Sequence, residues 1–225
     1  MANRVIKMTI EEISRNRRVL AYYEKGNSIL GHMGFTDHSI GHAAIVSKEA
    51  GSILRTLRYD EQTEMDARIA GYLHDIGNAI NREHHAEYGA LLAKDILEET
   101  DLPIEDQVTI ISAIAHHDES TGTAYDPVSA ALILADKTDV RRNRVRTKDQ
   151  NKFDIHDRVN YAVMGSSLSV DRKSDKITLN LQVDEKICTM VDYFEIFLGR
   201  MLMCRRAAEV LGKSFRLRVN GHKVV

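Results

Sequence analysis

Proline occurs only twice in 225 residues, both times where a helix would begin. "DLPIEDQVTIISAIAHH" and "DPVSAALILADKTD" place Pro103 and Pro127 in a first turn, with Asp101 or Asp126 available near the cap. A chain so free of breakers can sustain helical periodicity over long distances, and this one does so almost throughout from residue 9 to 164. Thr9 and Glu12 have capping-box spacing ahead of a first helix, and Asp37, Asp60 and Glu83 stand near the starts of three more.

The texture then changes. "SSLSV" and "ITLNLQV" alternate apolar and polar residues around the turn-like "DRKSDK", which predicts a β-hairpin. "EKICTMVDYFEIFLGRMLMCRRAAEVLG" returns to one long helix whose methionines and aromatics read as core, and "FRLRV" before Asn220-Gly221 alternates again. The expected architecture is mainly α: a helical domain over residues 1–164, then a small α+β appendage over 165–225 made of hairpin, long helix and final strand.

A content of 43% hydrophobic and 28% charged residues is enough for one real core. The net charge of -2 excludes a general nucleic-acid coat, so an anionic ligand must be met by a local basic patch. The apolar run "AALILA" is far short of the roughly 20 residues of a membrane span, and "MANRVIKMTIEEI" lacks a signal peptide's apolar core, so a cytoplasmic protein is expected. Cys188 and Cys204 read as two positions on one helix, roughly 24 Å apart, which forbids a disulfide between them.

Three His-Asp dipeptides occur, at 74, 117 and 156, where 10 histidines and 18 aspartates would give about one by chance. The dipeptide alone therefore proves nothing; its surroundings must decide. At 100° per residue His42 lines up with Val46, Ala50, Ile53 and Leu57, and His85 with Gly89, Leu92 and Ile96. His117 follows Ile110, Ala113 and Ile114, Asp136 shares its side with Ser129, Leu132 and Ile133, and His74 projects over Ala67 and Ala70. A lone histidine on an apolar face is most often a hydrogen-bonded core residue, but here five helices each turn a histidine or carboxylate inward. Such groups need compensation in a core, and a shared cation provides it. Seven of the ten histidines crowd between 38 and 117, where an even spread would put about four. Imidazole and carboxylate donors without thiolates suit divalent iron, manganese, nickel, cobalt or zinc.

The ordered set "HAAIV", "AGYLHDIGN" and "ILADKTD", spanning roughly residues 38 to 146, resembles the HD-domain superfamily of metal-dependent phosphohydrolases. "HAEYGA" and the doubled His116-His117 are similar to the extra ligands of its multinuclear branches, the HD-GYP phosphodiesterases and symmetrical diadenosine tetraphosphate hydrolases. The resemblance implies an HD-type helical bundle and at least two divalent ions, iron or manganese favoured, with nickel, cobalt, zinc or magnesium compatible. Asn78 stands where "HDIGK" would put lysine, the Gly-Tyr-Pro signature is missing, and the appendage has no counterpart; these departures argue against cyclic di-GMP as substrate.

On that resemblance His42, His74, Asp75 and Asp136 hold one ion, and His85, His116 and His117 the other, with Asp75 shared and central to catalysis. The segment "DKTDVRRNRVR" then supplies Lys137, Arg141, Arg142, Arg144 and Arg146 beside the ligands for a phosphoryl group, with Asn78 also facing the substrate. His38, one turn before His42, is a candidate proton donor to the leaving oxygen; His84 is a weaker one, and His156-Asp157 reads as plain structure. The expected substrate is a small phosphate ester, a nucleotide or similar, with self-association through the appendage as a further expectation. The alternatives are a metal- and nucleotide-binding regulatory module without turnover and a helical adaptor with a structural ion.

Overall fold

The computed structural model describes residues 9–147 and 149–224; the first eight residues of the stretch read for a signal peptide lie outside that range. Among the described residues the chain forms nine α-helices and a four-stranded sheet, the ninth helix lying between the second and third strands. The helices are α1 (Ile10–Arg15), α2 (Arg17–His32), α3 (Ile40–Leu57), α4 (Glu61–Leu73), α5 (His85–Leu97), α6 (Ile104–Ala115), α7 (Pro127–Lys137), α8 (Ile155–Ala162) and α9 (Met190–Val210). The strands are β1 (Val163–Val170), β2 (Lys176–Val183), β3 (Ser214–Val219) and β4 (His222–Lys223). None of the helices is long and apolar enough to cross a membrane.

Local chemistry sets most of these boundaries. Thr9, Asn16, Ser39, Asp60, Asp126, Asp154 and Thr189 each accept a hydrogen bond from a first-turn amide of the helix they precede. Pro127 occupies the first turn of α7 inside a reciprocal Asp126–Ser129 box, whereas Pro103 is itself the cap of α6. Asp37 and Glu83 do not cap: Asp37 holds the hydroxyl of the true cap Ser39 at 2.7 Å, and α5 starts from His84 in the left-handed conformation. Cys188 precedes α9 instead of lying on it; both cysteines are buried and free.

Helix α7 is buried nearly all round from Val128 to Ala135, as the axis of a bundle must be, and packs against α3, α4, α6 and α9. Between α4 and α5, Ile76–Ala79 form a 3-10 turn seated on α5. A Cβ on Gly77 would lie 2.0 Å from the His85 carbonyl oxygen and 2.4 Å from the Gly89 nitrogen, so only glycine lets the two backbones touch. That contact fixes His85 relative to His74 and Asp75.

In the sheet β1 pairs antiparallel with β2, β2 parallel with β3, and β3 antiparallel with β4. The parallel pair is joined through α9, a crossover helix as parallel strands require. Ile177, Leu179, Leu181 and Val183 of β2 alternate inward with Phe215, Leu217 and Val219 of β3, in one continuous apolar core with Tyr193, Phe197 and Cys204 of α9 and the residues of α7. Strand β1 starts at Val163, directly after α8, with the Ser166 hydroxyl bonded to the Thr138 carbonyl at the end of α7.

Candidate metal centre and adjoining cleft

His42 from α3, His74 and Asp75 after α4, His85 from α5, His117 after α6 and Asp136 from α7 converge at the centre of the bundle. Their rings stand edge to face in a row, with centroids 5.2 Å apart for His42 and His74, 5.0 Å for His74 and His117, and 5.0 Å for His117 and His85. All four rings anchor the same nitrogen outward: Nδ1 of His42 meets Asp139 Oδ2 at 2.7 Å, that of His74 the Gly71 carbonyl at 2.9 Å, that of His85 the Arg82 carbonyl at 3.1 Å, and that of His117 the Ile114 carbonyl at 2.6 Å. Since carbonyl and carboxylate oxygens only accept, each Nδ1 carries a proton, which leaves Nε2 of each ring directed to the centre, where in the neutral form it offers a lone pair.

Those lone pairs face carboxylate oxygens. Nε2 of His42 is 3.2 Å from Asp136 Oδ1, and Nε2 of His74 is 3.3 Å from Asp75 Oδ2. His85 Nε2 lies 3.7 Å from Asp75 Oδ1, so the two oxygens of Asp75 address different histidines. A bare Nε2 facing a carboxylate oxygen is repelled unless a proton or a cation lies between, and the His42 Nε2–Asp136 Oδ1 separation is that of a hydrogen bond. Neither His74 Nε2 nor Asp75 Oδ2 has a hydrogen-bond partner although both are buried, which is costly in a dry core. Ligands bound at about 2.0–2.2 Å and at right angles would stand about 3 Å apart. The donor set thus fits divalent metal, in two overlapping groups: His42, His74 and Asp136, and His74, Asp75 and His117.

The charges agree. Burial opposes ionisation of Asp75 and Asp136, but His74 beside the first, and Lys137 and His42 beside the second, hold both well below the usual carboxylate range. Burial, together with His74, His85 and Lys137, pushes His117 well below the ordinary imidazole value, and burial lowers His85 as well. His74 alone is raised, because Asp75 and Asp136 outweigh its burial.

Several expected residues lie elsewhere. His116 is exposed, with Nδ1 on the Ser112 carbonyl and its ring 5.2 Å from that of Tyr125; adjacent positions at a helix end point in different directions, and only His117 turns inward. Asp118 comes closer, with Oδ2 3.8 Å from His85 Nε2. Arg141 does not reach toward the centre: its Nε and Nη2 meet the two oxygens of Asp139 at 2.5 and 2.9 Å and hold the carboxylate that orients His42. Arg142 covers the Tyr161 ring and bonds its carbonyl, and Arg146 ties down Asn27 and the Phe35 carbonyl, so both are structural. Asn78 is turned from substrate to Asp75, donating to Oδ1 at 2.9 Å and accepting from Arg82 at 3.2 Å. His84 is exposed beside Glu83 and Glu87.

Lys137 and Arg144 stay at the centre. Lys137 Nζ is 2.8 Å from Asp136 Oδ2, and buried Arg144 donates to the Asp37 and Asp139 carbonyls; both line a small polar chamber with Asp75, His85 and His117. His38 lines it too, but its Nδ1 is held by the Thr36 carbonyl at 2.8 Å and burial keeps it well below the ordinary imidazole value. It is therefore set to accept a hydrogen bond through Nε2, where the sequence suggested a proton donor. A cleft of about 460 Å³ opens from this chamber, lined by Met33, Phe35, Arg82, His156, Asn160 and Arg200 among others. Of its cations Arg82 and Arg200 escape sequence reading, since neither lies in the basic run. His156, read as structural, faces the same cleft.

Imidazoles and carboxylates brought from five helices around one buried centre define an α-helical protein with a donor set that could hold divalent metal. The chain belongs to the HD domain family, which matches residues 35–157 and so includes every residue of the centre. HD domains bind divalent metals and are generally metal-dependent phosphohydrolases. The chain is also similar to the uncharacterized protein MJ1020 of Methanocaldococcus jannaschii, 29% identical over 234 residues that cover 93% of this chain and 83% of that protein.

Proposed function

We propose that this protein is a phosphohydrolase that cleaves a phosphate ester of a nucleotide or a similar small molecule with two divalent metal ions, iron or manganese first. The observation that carries the reading is the common orientation of four imidazoles, each with Nδ1 tied back and Nε2 turned toward the shared centre of Asp75 and Asp136. His42, His74, Asp75 and Asp136 would hold one ion; His85, His117 and Asp75, with Asp118 in place of His116, would hold the other. Bound there, the ions would supply a water made acidic enough to attack at neutral pH and positive charge for the phosphoryl oxygens.

The protein's own groups do the rest. Asp139, braced by Arg141, keeps the His42 tautomer fixed, and Asn78 keeps the Asp75 carboxylate from rotating. Lys137 and Arg144 set positive charge at the chamber where charge builds up on the phosphoryl group. The cleft beyond, with phenylalanine rings beside arginines, suits a planar base attached to phosphate.

Elemental analysis of untagged protein, with a phosphatase and phosphodiesterase panel on the same samples, tests this. About two transition-metal ions per chain are expected, lost along with hydrolysis in His74→Ala and Asp75→Ala. Protein that takes up no metal after manganese or iron reconstitution would sink the reading, and metal-replete protein that binds nucleotides without turnover would make it a regulatory module.

A further inference from the structure

Arg200 lies in the middle of α9, outside the part of the chain that matches the HD family, yet it lines both the cleft and the inner chamber. Its Nε stands 3.1 and 3.2 Å from the two oxygens of Glu119, two residues beyond His117. Its guanidinium carbon is 4.6 Å from the centre of the Phe197 ring, which fixes the plane of the fork. Its two Nη groups make no hydrogen bond among the described residues. Arg82 repeats the arrangement, 5.5 Å over the Phe35 ring, and it too lines both spaces.

A guanidinium is a five-donor fork suited to two parallel bonds with phosphate or carboxylate. Here a carboxylate engages Nε alone, in an ion pair whose side chains are only 26% and 30% exposed. Glu119 thus occupies an anion site without filling it.

We propose that Arg200 is a phosphate ligand supplied to the HD domain by the C-terminal unit, and that Glu119 is an internal stand-in displaced when phosphate arrives. The proposal rests on the hydrolase reading only for the nature of the anion. Competition from Glu119 gives the site a threshold. A dianionic phosphate that can accept from Nε and Nη of the fork together, with Arg82 beside it, displaces the carboxylate; chloride and other singly charged ions do not. Substrate selection by charge then follows from one side chain.

The test is calorimetric titration of the metal-loaded protein with inorganic phosphate and with chloride, on wild type, Glu119→Gln, Arg200→Gln, Arg200→Lys and the double variant Glu119→Gln/Arg200→Gln. Arg200→Gln is expected to weaken phosphate about tenfold or more, and Arg200→Lys to fall between it and wild type. Glu119→Gln should act in the opposite direction, tightening phosphate several-fold and admitting chloride, while the double variant should bind like Arg200→Gln. A purely structural ion pair gives another pattern: both single variants lower the melting temperature and neither moves the phosphate Kd, which would overturn the proposal. So would wild-type protein with no phosphate affinity at millimolar concentration. Because calorimetry requires no turnover, opposed shifts in a protein that hydrolyses nothing would uphold the anion site while removing the hydrolase reading. Hydrolysis with the same KM in Arg200→Gln would do the reverse.

Discussion

Asp66 is the carboxylate most out of place in the bundle. It is buried on α4 with one side-chain hydrogen bond, from Gln62 at 2.9 Å, and burial, with Asp106, Asp60 and Asp126 adding their charge, pushes it up to about 7. An aspartate in the unfolded chain titrates near ~3.9, so folding favours the protonated form; the stability it contributes is complete below about pH 4 and is lost as the pH rises toward about 7. Asp66→Asn is therefore expected to stabilise the protein by on the order of 2 kcal/mol at pH 8, and by progressively less as the pH falls to about 4. Urea titrations at both pH values check this; equal gains at both would show that charge is not the cause. The centre itself was largely legible residue by residue, because His42, His85, His117 and Asp136 fall on the apolar faces that a period of 3.6 predicts. His116 was not, since nothing in a doubled histidine says which ring turns out. Asp139 carried a signal that could have been used: it stands three residues after Asp136 at the helix end, within reach of the same neighbours. Arg82 and Arg200 carried none, because tertiary folding alone brings them to the cleft.

The decisive element is a short one, the four-residue 3-10 turn of Ile76–Ala79, which carries Asn78 to Asp75 and lays Gly77 on the backbone of α5. Gly77→Ala forces two backbones apart, and a cost of about 3 kcal/mol or more is expected. His85 moves with α5, so metal content should fall as well; an unchanged melting temperature would mean that the close contact is not needed. The helices were readable because their caps, apolar stripes and two prolines agree with one another. Residues 138–147 and 149–154 were not: "DKTDVRRNRVR" looks like one basic face, yet after Lys137 it leaves the helix for irregular backbone and a 3-10 turn whose arginines mostly bind carbonyls and Asp139. Periodicity has nothing to say about such a segment, and its charges were easily taken for a phosphate site.

For the whole molecule, the centre joins α3, α4, α5, α6 and α7 through buried imidazoles and carboxylates that a shared cation would hold together. Saturating metal at about 100 times its Kd would stabilise the fold by roughly 2.7 kcal/mol. For a chain of this size that is a melting shift of roughly 5 to 10 °C. Chelation should produce a fall of that size, reversed by manganese or iron(II), whereas a melting curve indifferent to chelator would remove metal from the account of stability. The hairpin, long helix and final strand were also foreseen from alternation, but not that α9 packs on α7 and shares its core, since amphipathic pattern shows that a face is buried without naming what covers it.

Helix α9 is anchored at both ends by the neighbouring strands β2 and β3, so it cannot slide over the bundle without shearing their ladder. The backbone that carries Arg200 is accordingly held in place, and only its side chain is left to respond to a ligand. Exchange at that position is then a matter of side-chain rotamers and not of a lid closing over microseconds to milliseconds. An entrance built this way filters what enters without ever becoming the slow step.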